Sequence, residues 1–303
     1  MSRFAERIAR DYPVRRKAAE KEAFRTWLGW ELREMGYAVS LQSAESALSS
    51  GGNRTNVVVG DPENAKLILT ARYDTGLREI FPPLILPGRP ATQAMYLALT
   101  PLCLLAASFV FSFALTFALN LPKATLPLFL LLLAAGIAYE RFGPSERRTV
   151  DESSGAAALL ETAAALTPRY RGEVAFVFLD NRGGAAFRKR YPVSRDKTVI
   201  HVDCVARGDE LLILPGRYAR WDEKLLDAVL SHFESTEKKT CFLKTDGFSF
   251  YPSENRAFRH SVVLCACEHT ALGRVIRPRM ALETDEENLR LVREGLCALI
   301  ASY

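Results

Sequence analysis

From Ala91 to Pro122 the chain carries no charged side chain, and after Lys123 a second uncharged run extends from Ala124 to Tyr139. An apolar helix of that length must be covered by protein core or by lipid, so this feature limits the available folds more than any other. The first run exceeds the roughly 20 residues a helix needs to cross about 30 Å of hydrocarbon. The second reaches that length only when it starts near Leu121, with Lys123 extending its ammonium to the interface. Asn120-Leu121-Pro122-Lys123 reads as a tight turn. Residues 89–142 are therefore expected to form a transmembrane helical hairpin, touching the lipid bilayer through residues 91–139. A buried soluble hairpin, or a re-entrant second half, is the alternative. Arg78 and Arg89 on one flank and Arg141, Arg147 and Arg148 on the other outnumber the single Lys123 of the turn. That bias places the globular part and both termini in the cytoplasm.

The rest of the chain reads as a soluble α/β domain split by the hairpin, residues 1–88 and 143–303, in keeping with two units for 303 residues. A hydrophobic share of 49% and a charged share of 25% exclude a disordered, collagenous or disulfide-scaffold protein. The net charge of +5 is too small to imply a nucleic-acid partner. Basic clusters at Arg15, Arg16 and Lys17 and at Arg188, Lys189 and Arg190 read as solvated faces. Six cysteines without a CxxC pair read as reduced, mostly buried thiols, and Cys265 and Cys267 as neighbours on one face of a buried strand.

Residues 1–36 read as an amphipathic helix rather than a secretion signal. Phe24, Trp27, Leu28, Leu32 and Met35 fall at helical spacing, with Gly36 at the stop. Strands are expected at residues 37–42, 56–59, 67–70, 174–179, 199–205 and 261–267. Helices are expected at 153–166, 221–233 and 286–302. Strands separated by helices predict a mixed central β-sheet flanked by helices. Functional groups in such sheets gather at the C-terminal ends of the strands. Those ends carry Asp74, Asp180 and Asp203, and Asp151 opens a helix nearby. Carboxylates converging on one edge need cations, from metal ions or from basic side chains.

The ordered segments Thr70-Ala71-Arg72-Tyr73-Asp74-Thr75, Asp151-Glu152-Ser153-Ser154-Gly155, Phe178-Leu179-Asp180-Asn181-Arg182-Gly183, His201-Val202-Asp203-Cys204-Val205, Tyr251-Pro252-Ser253-Glu254 and Arg279-Met280-Ala281-Leu282 are found across the chain. Together they resemble the motifs of the M28 family of zinc aminopeptidases. About 75 residues separate the first two, and a hairpin at that place resembles a bacterial subgroup. The resemblance implies a zinc-exopeptidase-like, phosphorylase/hydrolase-like fold. It also implies two zinc ions bridged by an aspartate at Asp151. The first zinc would take a histidine, whose position holds Arg72, and an aspartate at Asp203. The second would take a glutamate, whose position holds Gly183, and a histidine, whose position holds Ala281. Arg182 stands where the family has its general base, and Asp74 keeps the orienting position.

Arginine stays protonated, only donates hydrogen bonds and repels a dication, so it neither ligates zinc nor acts as a base. There is no histidine before residue 200, so no register shift restores the first motif. His201 reads as structural, and His269 as a poor displaced ligand. The expectation is a salt-bridge network of Arg72, Arg182, Asp74, Asp151 and Asp203 in place of zinc, and no cofactor. The function expected is a membrane-anchored pseudopeptidase that binds a peptide or a membrane-protein partner. The alternatives are a hydrolase still working, with a single metal such as zinc on Asp151 and Asp203 or with no metal, and a structural membrane assembly protein.

Overall fold

The structure is a computed structural model that describes residues 2–44, 54–75, 84–142, 151–181, 183–194, 197–243, 251, 254–276 and 284–303. The first 36 residues fold as two helices rather than one: α1 (Arg3–Asp11) and α2 (Ala18–Glu34). Pro13 explains the break, since it has no N–H for a helical ladder and disfavours helical geometry in the residue before it. Gly36, with φ +85°, ends α2 as its spacing predicts.

The break turns Arg15 inward. It is fully buried, not part of a solvated face. Its guanidinium donates to the carbonyls of Tyr73 and Tyr12 and, at 2.7 Å, to Ser153 Oγ, and it lies 4.9 Å over the ring of Phe24. Its backbone N–H donates to Thr75 Oγ1 at 2.8 Å. One side chain thus ties the N-terminal segment to the loop after the third strand and to the start of the helix that follows the hairpin.

β1 (Val39–Ala44), β2 (Arg54–Val59) and β3 (Leu67–Arg72) lead to the hairpin helices α3 (Pro90–Ala118) and α4 (Thr125–Phe142). After these come α5 (Asp151–Ala165), β4 (Val174–Leu179), α6 (Gly183–Arg190), β5 (Thr198–Val202) and β6 (Glu210–Pro215). The chain ends with α7 (Glu223–Ser231), β7 (Thr240–Leu243), β8 (Ser261–Thr270), β9 (Gly273–Val275) and α8 (Glu286–Ala301). The sheet order is β1-β2-β4-β3-β5-β8-β6-β7, with β9 paired to β8. β4, β3, β5 and β8 run parallel, while β2 and β6 flank them antiparallel. β4 is apolar and buried at every position, as a strand covered on both faces must be. Side chains of α1, α2, α5, α7 and α8 join one face of the sheet in the main core, and Phe187 of α6 packs on the other.

α3 and α4 pack on each other through edge-to-face Phe109 and Phe129 and through Thr116 and Thr125, whose hydroxyls are 2.7 Å apart. Ser112 and Thr116 hydroxyls return to carbonyls one turn earlier, so the seam between the helices keeps no free hydroxyl donor there. The outer surface is apolar and bare, with Phe117 77% exposed and Leu126 and Leu131 both 65% exposed. Both helices are long and apolar enough to cross a membrane.

Replacing Arg15 with methionine should lower folding stability by more than about 3 kcal/mol. At least two buried acceptors would lose a charged donor, at roughly 1.5–3 kcal/mol each. Thermal unfolding of the detergent-solubilised variant checks this, and an unchanged melting temperature refutes the role given to Arg15.

Candidate functional site

The parallel strands deliver their C-terminal ends to one edge. β3 ends at Arg72 and passes into Tyr73-Asp74-Thr75, Asp180 follows β4, Asp203 follows β5, and α5 begins at the same edge. α5 reaches the sheet closely because of Gly155, where a Cβ would stand 2.2 Å from the Val202 carbonyl oxygen. Ser154 Oγ on that helix accepts the N–H of Val205 at 2.9 Å, which holds the turn after β5. Within that turn Cys204 takes a left-handed backbone, φ +51°, a conformation that costs a non-glycine residue energy and is kept only where surrounding bonds impose it. Here they are Asp203 N–H to Leu264 O and Ala266 N–H to Cys204 O, each 3.0 Å.

Each described carboxylate on this edge has its own protein partners. Arg72 forks onto Asp74, with Nε 3.2 Å from Oδ1 and Nη2 3.0 Å from Oδ2. Asp74 is buried, while the Arg72 side chain is 25% exposed. Asp180 is buried and pairs with Lys21 of α2, and it accepts the N–H groups of Thr55 and Asn181. Asp203 accepts from Tyr251 Oη at 3.0 Å, and its Oδ2 lies 3.8 Å from His201 Nε2, within ion-pair range. Burial pushes the Asp203 carboxyl up. The nearby His201 ring, the charge of Arg72 and the Tyr251 hydroxyl outweigh it, and the carboxyl stays below its ordinary range.

His201 is fully buried, and its Nδ1 is 2.9 Å from Thr70 Oγ1. Burial raises the Tyr251 hydroxyl well above its ordinary range, with the charge of Asp203 adding to it, so the phenol stays a donor. Tyr73 is raised by burial and by Asp180. It donates to the Thr55 carbonyl at 2.7 Å and accepts from Arg25 at 3.0 Å.

Gly183 is packed against Asn56 of β2. A Cβ on Gly183 would stand 2.1 Å from Asn56 Oδ1. Asn56 is held there by Asp180 N–H on its Oδ1 and by its own Nδ2 donating to Gly183 O and Gln42 Oε1, all 3.0 Å. The space next to the backbone of Gly183 therefore belongs to an amide already satisfied on both ends.

Of the residues singled out in the sequence, Arg72, Asp74, Asp203 and Gly183 share this edge. Arg182 and Ala281 lie outside the described residues, as does the side chain of Asp151, although its backbone opens α5. Among the described residues no group of three or more His, Cys, Asp or Glu side chains is placed to hold a metal ion. His269 sits exposed near the far end of β8, in register with Arg274 of β9. Cys265 and Cys267 share one buried face of β8 with Val263, packed with Leu212 of β6. Burial pushes the Cys265 thiol well above its ordinary range and pushes Cys267 up to about 12. Sequence reasoning passes over Lys21 and Asn56, and it places Tyr251 on a motif without giving it a partner. Asn56 had a signal, an amide set inside an apolar strand, while Lys21 is one of many lysines on an amphipathic helix.

No protein-family model and no curated protein matches the chain by sequence. Solved structures do match its fold. A glutaminyl cyclase from Porphyromonas gingivalis superposes with a TM-score of 0.60 at 14% identity, over 99% of this chain and 95% of that one. A Zn-dependent exopeptidase from Parabacteroides distasonis gives 0.59 at 14% identity, over 100% and 98%. A leucine aminopeptidase precursor from Bacteroides thetaiotaomicron gives 0.54 at 13% identity, over 99% and 96%. The mixed α/β fold of this chain, with its central mixed sheet, is that of these zinc-exopeptidase-like structures.

Two outcomes follow from the geometry. Gly183→Ala should cost about 3 kcal/mol, the upper end of overpacking, and double-mutant analysis with Asn56→Ala should recover part of it. Independent, additive effects would refute the contact. In native protein at about pH 8, Cys265 and Cys267 should resist maleimide, since the thiolate is the reactive form, and label fully after denaturation. Peptide mass mapping reads this, and prompt native labelling would contradict the burial described.

Proposed function

We propose that this chain is a membrane-anchored protein whose zinc-exopeptidase-like domain binds a peptide or a membrane-protein segment and does not hydrolyse it. The observation that carries this reading is the filled space at Gly183. A glutamate ligand there would have to pass through the Asn56 amide. The fork of Arg72 on Asp74 supports it from the other side. A guanidinium at a ligand position adds positive charge where a zinc ion needs a neutral or anionic donor, and a catalytic zinc normally takes three protein ligands. Asp203 is already engaged by His201 and Tyr251. The residues present do not fit a zinc pair, so no hydrolytic step is assigned to this site. Arg72, Arg182, Asp74, Asp151 and Asp203 are read as an ion network that keeps the edge folded without metal.

The peptide or membrane-protein ligand is supported by the fold alone, through neighbours named as exopeptidase, aminopeptidase and glutaminyl cyclase. The anchor is supported by the bare apolar surface of α3 and α4. The excess of arginine on the domain side of the hairpin supports a cytoplasmic domain.

Protein purified in detergent should carry no stoichiometric zinc by elemental analysis. Added zinc or cobalt should elicit neither aminopeptidase nor glutamine-cyclising activity. One or two zinc ions per chain, with either activity, would overturn the proposal. Arg72→Ala should also lower stability by about 2–4 kcal/mol. This is less than the ~3–5 kcal/mol of a fully buried pair, because Arg72 is partly solvated.

A further inference from the structure

The segment that feeds the hairpin is bonded to the β8–β9 ribbon. Ile85 and Ile276 exchange both backbone hydrogen bonds, each 2.9 Å. Gln93, on the first turn of α3, clamps that segment by accepting from Leu86 N–H at 2.7 Å and donating to the Leu84 carbonyl at 3.0 Å. Arg89, which caps α3, lies beside the ribbon's turn, where a Cβ on Gly273 would be 3.4 Å from its Nε. The turn itself is tied by Thr270 Oγ1, which donates to Gly273 O and accepts from Leu272 N–H. At its tip Leu272 is 47% exposed, with exposed Ala271 beside it.

Arg89 is the last charged residue before the uncharged run. α3 has 29 residues, a length of about 44 Å at 1.5 Å per residue. That matches the roughly 40–45 Å of a bilayer counted with its headgroup layers. With α3 spanning, Arg89 stands in the headgroup layer on the domain side, and the β8–β9 turn stands at the same level.

We propose that this turn is a second bilayer contact, with Leu272 seated among the lipid headgroups beside Arg89. The occupant of this exposed apolar tip is the lipid surface, because the turn lies against Arg89 at the foot of α3, whose next turns expose Met95, Leu97 and Leu99. The inference rests on the membrane reading of the hairpin. It adds that the domain is docked on the bilayer by the sheet edge that carries Arg72, Asp74 and Asp203, the edge beyond which β8 extends into this ribbon.

The test places single tryptophans in the full-length chain in phosphatidylcholine vesicles, with quenching measured relative to the wild-type chain. Phe113→Trp, in the bare middle of α3, reports on the span. Leu272→Trp and, as a second probe against local misfolding, Ala271→Trp report on the turn. Spin labels on the lipid headgroup should quench the added emission at 272 and 271, and labels deep in the acyl chains should quench 113. Quenching at 113 with none at 272 and 271 overturns the second contact and leaves the span intact. Quenching of 272 by the deep label as strongly as 113 overturns the headgroup placement. No quenching at any of the three removes the membrane reading itself, and the inference with it.

Discussion

A carboxylate at the end of a buried parallel strand has to be neutralised or hydrogen-bonded, and the edge of this sheet presents several. Charge on that edge organises the rest of the structure. Asp74 takes the guanidinium of Arg72, Asp180 takes Lys21 and two backbone N–H groups, and Asp203 takes Tyr251 and His201. These solutions recruit α2, the β2–β4 pairing and Tyr251. Elements far apart in sequence are thus held by the same small region. Arg15 extends it by binding the main chain at Tyr73 and the side chain of Ser153.

The arrangement at Gly183 shows how tightly this edge is packed around one amide. From β2, Asn56 uses one acceptor and two donors to reach Asp180, Gln42 of β1 and the first turn of α6. That amide completes the hydrogen bonds of three elements and fills the volume a longer side chain at 183 would need. A longer side chain at 183 is therefore not a local change, since the amide holding the edge would have to move with it. Arg72 does the same for charge, because its fork satisfies both oxygens of the buried Asp74 carboxylate.

The parts of the fold that were legible in sequence are those governed by burial on both faces. β4 coincides with residues 174–179 because an unbroken apolar run has only one place in a parallel sheet. β5 and α8 also fall within a few residues of their expected bounds. β7, an edge strand whose residues are partly to fully exposed, carries no such pattern. Nor does α6, which opens on two glycines and closes on three basic residues. β6 has the apolar run but is cut short by Pro215, and it is not among the expected strands. In the site, residues on ordered motifs were legible, because a motif carries its own spacing. Arg15, Lys21 and Asn56 were not, because what matters about each is a partner about 60 to 160 residues away. A basic residue next to other basic residues looks solvated until Pro13 is seen to turn the chain inward.

The hairpin and the charged edge are linked by more than adjacency in sequence. The chain leaves the edge after β3, enters α3 at a segment bonded to the β8–β9 ribbon, and returns to the edge at α5. Phe142 and Asp151 are nine residues apart, a reach of at most about 32 Å even when fully extended. A domain hung from an anchor by a long terminal linker could sample any orientation. Here the segment that enters α3 is fastened to the β8–β9 ribbon by a pair of backbone hydrogen bonds backed by Gln93. With α3 and α4 in a bilayer, as proposed, the ribbon would hold that edge near the lipid surface.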